Sequence, residues 1–157
     1  MNINKIVVII LSTFFFACAT TPVVQMTPLE IQSMQTREYE NKKKIVFASV
    51  MSVFQDLGYT VSSADINTGL ITASGASQSD FSSKFWLGVT KVSQTKATAF
   101  IEQIGKFTKV RLNFVNTEKS SSAYGQTDQQ DAPILDAKIY QNAFERIENA
   151  VFVRSGS

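Results

Sequence analysis

Histidine is absent from all 157 residues. That absence excludes imidazole acid–base chemistry, Ser-His-Asp and Cys-His nucleophiles, and most zinc or iron sites. Cysteine occurs once, at Cys18, so no disulfide can form within the chain. An excess of either charge is missing too: 15 Lys and Arg stand against 13 Asp and Glu. Such a balance makes no field that would gather nucleic acid. Long apolar runs are also lacking. The one candidate, residues 6–17, is interrupted by Ser12 and Thr13 and falls short of the roughly 20 residues a membrane-spanning helix needs. Asp65, Asn67 and residues 128–131 offer hard oxygens, but neither group has the D-x-[DN]-x-[DN]-G loop with its distal glutamate. Turn chemistry accounts for them. The chain reads as a non-enzyme without metal or cofactor.

What is present begins at the amino terminus. Residues 2–5 are polar with one positive charge, residues 6–17 are apolar, and Ala17 closes the run. A basic start, an apolar stretch of roughly 7–15 residues and a small boundary residue make a secretory signal peptide. The boundary itself, Phe15-Phe16-Ala17-Cys18, resembles the lipobox of bacterial lipoproteins: large apolar, variable, small, cysteine. This resemblance implies cleavage before Cys18, a diacylglyceryl thioether on its sulfur, and acylation of the new amino terminus. Two or more acyl chains anchor stably where one does not, at roughly 0.8 kcal/mol per buried CH₂. Membrane attachment is therefore expected through lipid on Cys18. In lipoproteins of Gram-negative bacteria the next residue directs sorting, and Ala19 implies the periplasmic face of the outer membrane. The expected organisation is a cleaved signal peptide at 1–17, a tether at 18–30, one domain at 31–153 and a tail at 154–157.

Within the domain, residues 31–40 read as a half-polar strand. Asn41 has the chemistry of a helix N-cap, and Val46, Val50, Val53, Phe54 and Leu57 recur on one helical face. With Gly58 suited to the left-handed position past the end, the spacing predicts a helix over 42–57. Two short strands follow, joined by a tight turn containing Asp65, Asn67 and Gly69. Residues 97–104 and 109–116 predict a second pair. In the latter, Val110, Leu112 and Phe114 alternate with Lys109, Arg111 and Asn113, as in a half-buried antiparallel strand. Residues 118–131 are polar and read as a surface loop. After Pro133, a stripe of Ile139, Ala143, Ile147 and Val151, with Tyr140 and Phe144 beside it, predicts a helix over 135–153. The order β-α-β-β-β-β-α specifies an α+β, two-layer domain in which two helices pack one antiparallel sheet. Phe54, Leu57, Leu112, Phe114, Phe144 and Ile147 are its predicted core.

The stretches VFQDLGYTV, SADINTGLITA, KVRLNF and ILDAKIYQNAFERIENAVFV together resemble a set of small bacterial envelope lipoproteins. Those proteins are similar in fold to the helix-grip domains of a lipoprotein component, the C lipoprotein, of the outer-membrane β-barrel assembly machine. The resemblance covers about residues 31–153 and rests on structural motifs: a helix C-cap, a hairpin turn and a helix face. It implies a helix-grip fold and an accessory, non-catalytic role among other envelope proteins. No catalytic residue carries over.

Two surface features are candidate sites. Lys42, Lys43 and Lys44 stand at a helix start, where positive charge opposes the macrodipole by about 0.3–1 kcal/mol. They read either as an anion patch, for example for lipid phosphate, or as a solvated turn relieved by Glu38 and Glu40. Phe81, Phe85, Trp86, Val89 and Val92 have the spacing of a short helix with an apolar face. That face either covers the sheet or forms a partner or ligand patch. Two functions fit: an interaction lipoprotein that contacts envelope proteins, or a small-molecule or lipid-binding lipoprotein, since a sheet gripping a long helix can enclose a pocket.

Overall fold

Residues 26–80, 89–122 and 124–156 are described by the structure, a computed structural model. The expected signal peptide, Cys18 and the expected tether as far as residue 25 lie outside the described residues, as do Phe81, Phe85 and Trp86. The elements are α1 (Pro28–Gln35), β1 (Thr36–Tyr39), α2 (Lys43–Asp56), β2 (Thr60–Asp65), β3 (Leu70–Ser74), β4 (Gln78–Asp80), β5 (Val89–Ile104), β6 (Phe107–Ser122), β7 (Thr127–Pro133) and α3 (Ala137–Ser155). The class is α+β, as the pattern implies. The described residues hold seven strands and three helices, where the sequence pattern implies five and two.

The additional helix is α1. Thr27 accepts from the Glu30 amide at 3.3 Å, while the Glu30 carboxylate accepts from the Thr27 amide at 2.7 Å. Pro28 takes the first helical position, where its missing N–H would have no partner anyway. This capping box overrides the expected strand over 31–40, and only Thr36–Tyr39 is extended. The same Thr27 bonds hold the Glu30 carboxyl below its ordinary range.

Helix α2 starts close to its predicted place, but Asn41 is not its cap. Lys42 holds that position without a side-chain bond. The Lys43 amide is instead capped from the β5–β6 hairpin by Gln103 Oε1 at 2.8 Å. Gln103 Nε2 donates to the carbonyls of Gly105 and Phe107 at 3.1 and 2.9 Å, which locks the capping side chain to its own turn.

All strand pairs are antiparallel, in the order β1-β6-β5-β3-β2. β4 joins β5 beyond β3, and β7 joins β6 beyond the end of β1. β5 and β6 are each 16 residues long. Their inner halves supply Ala97, Ala99, Ile101, Val110, Leu112 and Phe114 to the core beneath α2 and α3. Beyond Ala97 and Phe114 the ladder continues as a four-stranded polar extension. Two expectations are corrected there. The stretch 118–131 is not a loop: residues 118–122 form the end of β6, and 127–131 most of β7. Val89 and Val92 are not on a short helix but in β5, paired with Ser122 and Lys119.

β1 and β7 lie along the same edge of β6 and leave a break at Phe114. The hydroxyl of Tyr140 from α3 fills it. It accepts from the Phe114 amide at 3.3 Å and from Gln35 Nε2 at 3.3 Å, and donates to the Ile134 carbonyl at 3.0 Å. Tyr140 is only 1% exposed, so an unpaired backbone amide at this break would be buried without solvent. One phenol oxygen thus ties α1, β6, the β7–α3 connection and α3 together.

Candidate functional site

The site begins at the end of α2. Gly58 has φ of +84°, a left-handed conformation that glycine adopts without a Cβ penalty. The Gly58 amide reaches the Gln55 carbonyl and the Tyr59 amide reaches the Phe54 carbonyl, both at 2.9 Å. This pair of bonds is a Schellman motif, whose usual companion is an apolar contact across the turn. Here the contact is Tyr59 on Phe54, with ring centroids 6.0 Å apart. Tyr59 also lies 6.1 Å from Phe114, which meets Tyr140 edge-on at 5.2 Å. The helix stop therefore places Tyr59 at the margin of the aromatic core.

α3 begins close by. Asp136 caps it by accepting from the Lys138 amide at 2.9 Å. Its first two turns then bring Lys138, Ile139 and Asn142 against Leu57, Tyr59 and Phe114, forming a groove of about 360 Å³. Leu57 and Ile139 carry the correction here. The helical pattern predicts Leu57 as core and Ile139 on the stripe that packs against the sheet, yet Leu57 is only partly buried and Ile139 is 40% exposed. Each lies at a helix end, where the two layers part and the apolar stripe outlasts its cover. Burial pushes the Tyr59 phenol above its ordinary value, so it is a neutral donor at neutral pH. The groove thus has aromatic and aliphatic walls with one ammonium group, Lys138, among its lining residues. It suits an apolar group carrying an acceptor or a negative charge.

A second hollow of about 370 Å³ continues from the first, sharing Leu57 and Tyr59 and running past Gly75, Gln78, Ser93 and Thr95 toward the polar extension. A third, of about 470 Å³, lies between α2 and α3 and includes Asp56, Arg146, Asn149 and Arg154. Of these three, only the first is lined by Phe114, the centre of the aromatic cluster.

The predicted site residues are scattered. Lys43 is half-buried and donates from Nζ to the Asn67 carbonyl at 3.2 Å, while its amide is taken by Gln103. Lys42 and Lys44 are exposed. The helix start is thus largely occupied from within the fold. Asp65 accepts from the Asn67 amide at 2.8 Å, an Asx turn as the turn reading requires. Cys18, Phe81, Phe85 and Trp86 are outside the described residues. Val89 is described only by its backbone place in β5. Sequence reasoning misses Lys138, Asn142 and Gln103, because polar residues have no periodic signal. A tyrosine where the stripe needs only a phenylalanine was the available clue to Tyr140.

Among the described residues no three His, Cys, Asp or Glu side chains gather as a metal site, and no helix is long and apolar enough to cross a membrane. Comparison with known protein families finds no matching family, and comparison with curated proteins finds no match.

Proposed function

We propose that this chain is a non-catalytic envelope lipoprotein, held by lipid on Cys18 at the periplasmic face of the outer membrane, and that it works by contacting other envelope proteins. The observation that supports contact is the groove. Leu57 and Ile139, apolar residues left outside the core, line one hollow with Tyr59 and Phe114. Exposed apolar surface gathered in one place marks interaction sites on folded domains. The signal-like amino terminus ending at Cys18 supports the anchor.

Changing Cys18→Ala should abolish fatty-acid labelling and release the protein from membranes or leave its signal uncleaved. Equal labelling of mutant and wild type would end the anchor reading. Ile139→Asp tests the contact. The position is exposed and lies in the first turn of α3, where an acidic residue favours the helix dipole. Stability should change by no more than about 0.5 kcal/mol, while crosslinked envelope proteins recovered with the wild type should be lost. Undiminished recovery would remove the groove from the function.

A second reading is favoured by the size and lining of the same groove: a small apolar anion, such as a fatty acid, with its head toward Lys138. It is supported if a lipid co-extracted with wild type disappears in Ile139→Asp while protein partners remain.

A further inference from the structure

A free sheet edge is a row of backbone donors and acceptors that another strand can pair with, and folded proteins guard such edges with bulges, shortness or positive charge. Among the described residues, three of the four edge strands are guarded. β2 has a register shift between Val61 and Ser63, β4 has three residues and β1 has four. β7 is different. It has seven residues, all exposed, with an unbroken register on β6 and no lysine or arginine.

The phase of its hydrogen bonds can be read from the ends of the ladder. The Ile134 amide reaches the Phe114 carbonyl and the Ser122 amide reaches the Gln126 carbonyl, both at 2.9 Å. In an antiparallel pair hydrogen-bonded residues alternate with non-bonded ones. The even-numbered residues of β7 therefore face β6, and the backbone groups of Thr127, Gln129 and Asp131 face outward. Pro133 adds an outward carbonyl and ends the row, having no N–H.

We propose that β7 pairs with β7 of a second copy of this chain, antiparallel about a two-fold axis at Gln130, extending one sheet into the next. In that register Gln130 faces Gln130, Gln129 faces Asp131, Asp128 faces Ala132 and Thr127 faces Pro133. No aspartate faces another, although like charges directly opposite would destabilise a pair. Roughly six new backbone hydrogen bonds form, from the outward residues alone. One of the two carboxylates of β7 has neighbours of its own. Asp131 accepts from Gln129 Nε2 at 3.3 Å, and the Thr117 hydroxyl, with Lys96 and Lys119, helps hold its carboxyl below the ordinary range. In the two-fold register Asp131 stands opposite Gln129 of the second copy, whose amide can donate to it, and Asp128 stands opposite Ala132, so each carboxylate meets a neutral side chain, which favours a second copy.

The test uses the full-length protein in its membrane fraction. Gln130→Cys places a thiol at the two-fold axis, in a non-hydrogen-bonded pair whose Cα atoms are about 4.5 Å apart. A mild oxidant should then give a band of doubled mass, absent from wild type. Asp128→Cys should give none, since the two thiols would be four residues out of register, about 14 Å along the strands. Adding Gln129→Pro to Gln130→Cys should remove the doubled band, because it deletes an outward donor and leaves the β6 ladder intact. A Gln130→Cys protein that stays single overturns the proposal. So does equal crosslinking by Asp128→Cys, which would signal random collision, or a Gln130→Cys adduct with a different protein.

Discussion

Replacing Phe114 by alanine should destabilise the domain by about 3–5 kcal/mol, the range for removing a buried aromatic side chain. Phe114 is 1% exposed and is the shared member of the aromatic cluster, at 6.3 Å from Phe54, 6.1 Å from Tyr59 and 5.2 Å from Tyr140. No single neighbour can move into its space without giving up another contact, so the cavity should persist rather than collapse. Urea unfolding would show a lower midpoint with an unchanged slope. The groove should suffer as well, since Phe114 is one of its walls. A loss below about 1 kcal/mol, nearer what surface changes produce, would mean that the cluster is not packed as described.

Gly69→Ala is the second change with a large expected effect. Gly69 closes the β2–β3 turn, where its amide donates to the Asp65 carbonyl and its carbonyl accepts from the Ile101 amide, both at 2.8 Å. Its φ is +78°, and a side chain there carries left-handed strain of roughly 1–2 kcal/mol. The contact is worse than the torsion. A Cβ would collide with the Ile101 carbonyl oxygen and stand 3.2 Å from Lys43 Nζ. Backbone in the middle of a sheet cannot step aside as a surface side chain does, and overpacking adds about 1–3 kcal/mol. Together these predict a loss of about 2–5 kcal/mol, read from the thermal or urea midpoint. Gly58→Ala is the internal comparison: it has a similar positive φ of +84° but nothing within 4 Å of its Cβ, so it should lose only the torsional part. Equal losses at the two glycines would show that the close approach to Ile101 is not rigid.

Where one face of an element is buried, the sequence shows it. Val46, Val50, Val53 and Phe54 in α2, and Ala143, Phe144, Ile147 and Val151 in α3, repeat at helical spacing and are all buried. Val110, Leu112 and Phe114 alternate and are buried on one side of β6. The polar extension carries no such sign. In β7 both faces meet solvent, so no alternation marks the strand, and only its pairing with β6 makes it one. Val89 and Val92 misled for the same reason: an apolar spacing that fits a helix is weak evidence when a long partner strand is available to pair with. The α1 case is different, because Thr27 and Glu30 are a legible capping signature that the half-polar look of residues 31–40 obscured.

The order of residues alone was enough for the class of the domain, the course of its two long helices and the greater part of its core. Those follow from local periodicity, which records which face of each element is apolar. Where the core stops depended on packing in three dimensions. Leu57 and Ile139 carry the same pattern as their buried neighbours, yet they line a groove, because burial depends on what lies opposite and not on the side chain alone. The same holds for the polar contacts that join distant segments. Gln103 caps a helix 60 residues earlier in the chain, and Tyr140 closes a break in a sheet edge at a residue 26 positions before it. A hydrogen bond of that kind has no period in the sequence. It exists only once the chain has brought its two ends together.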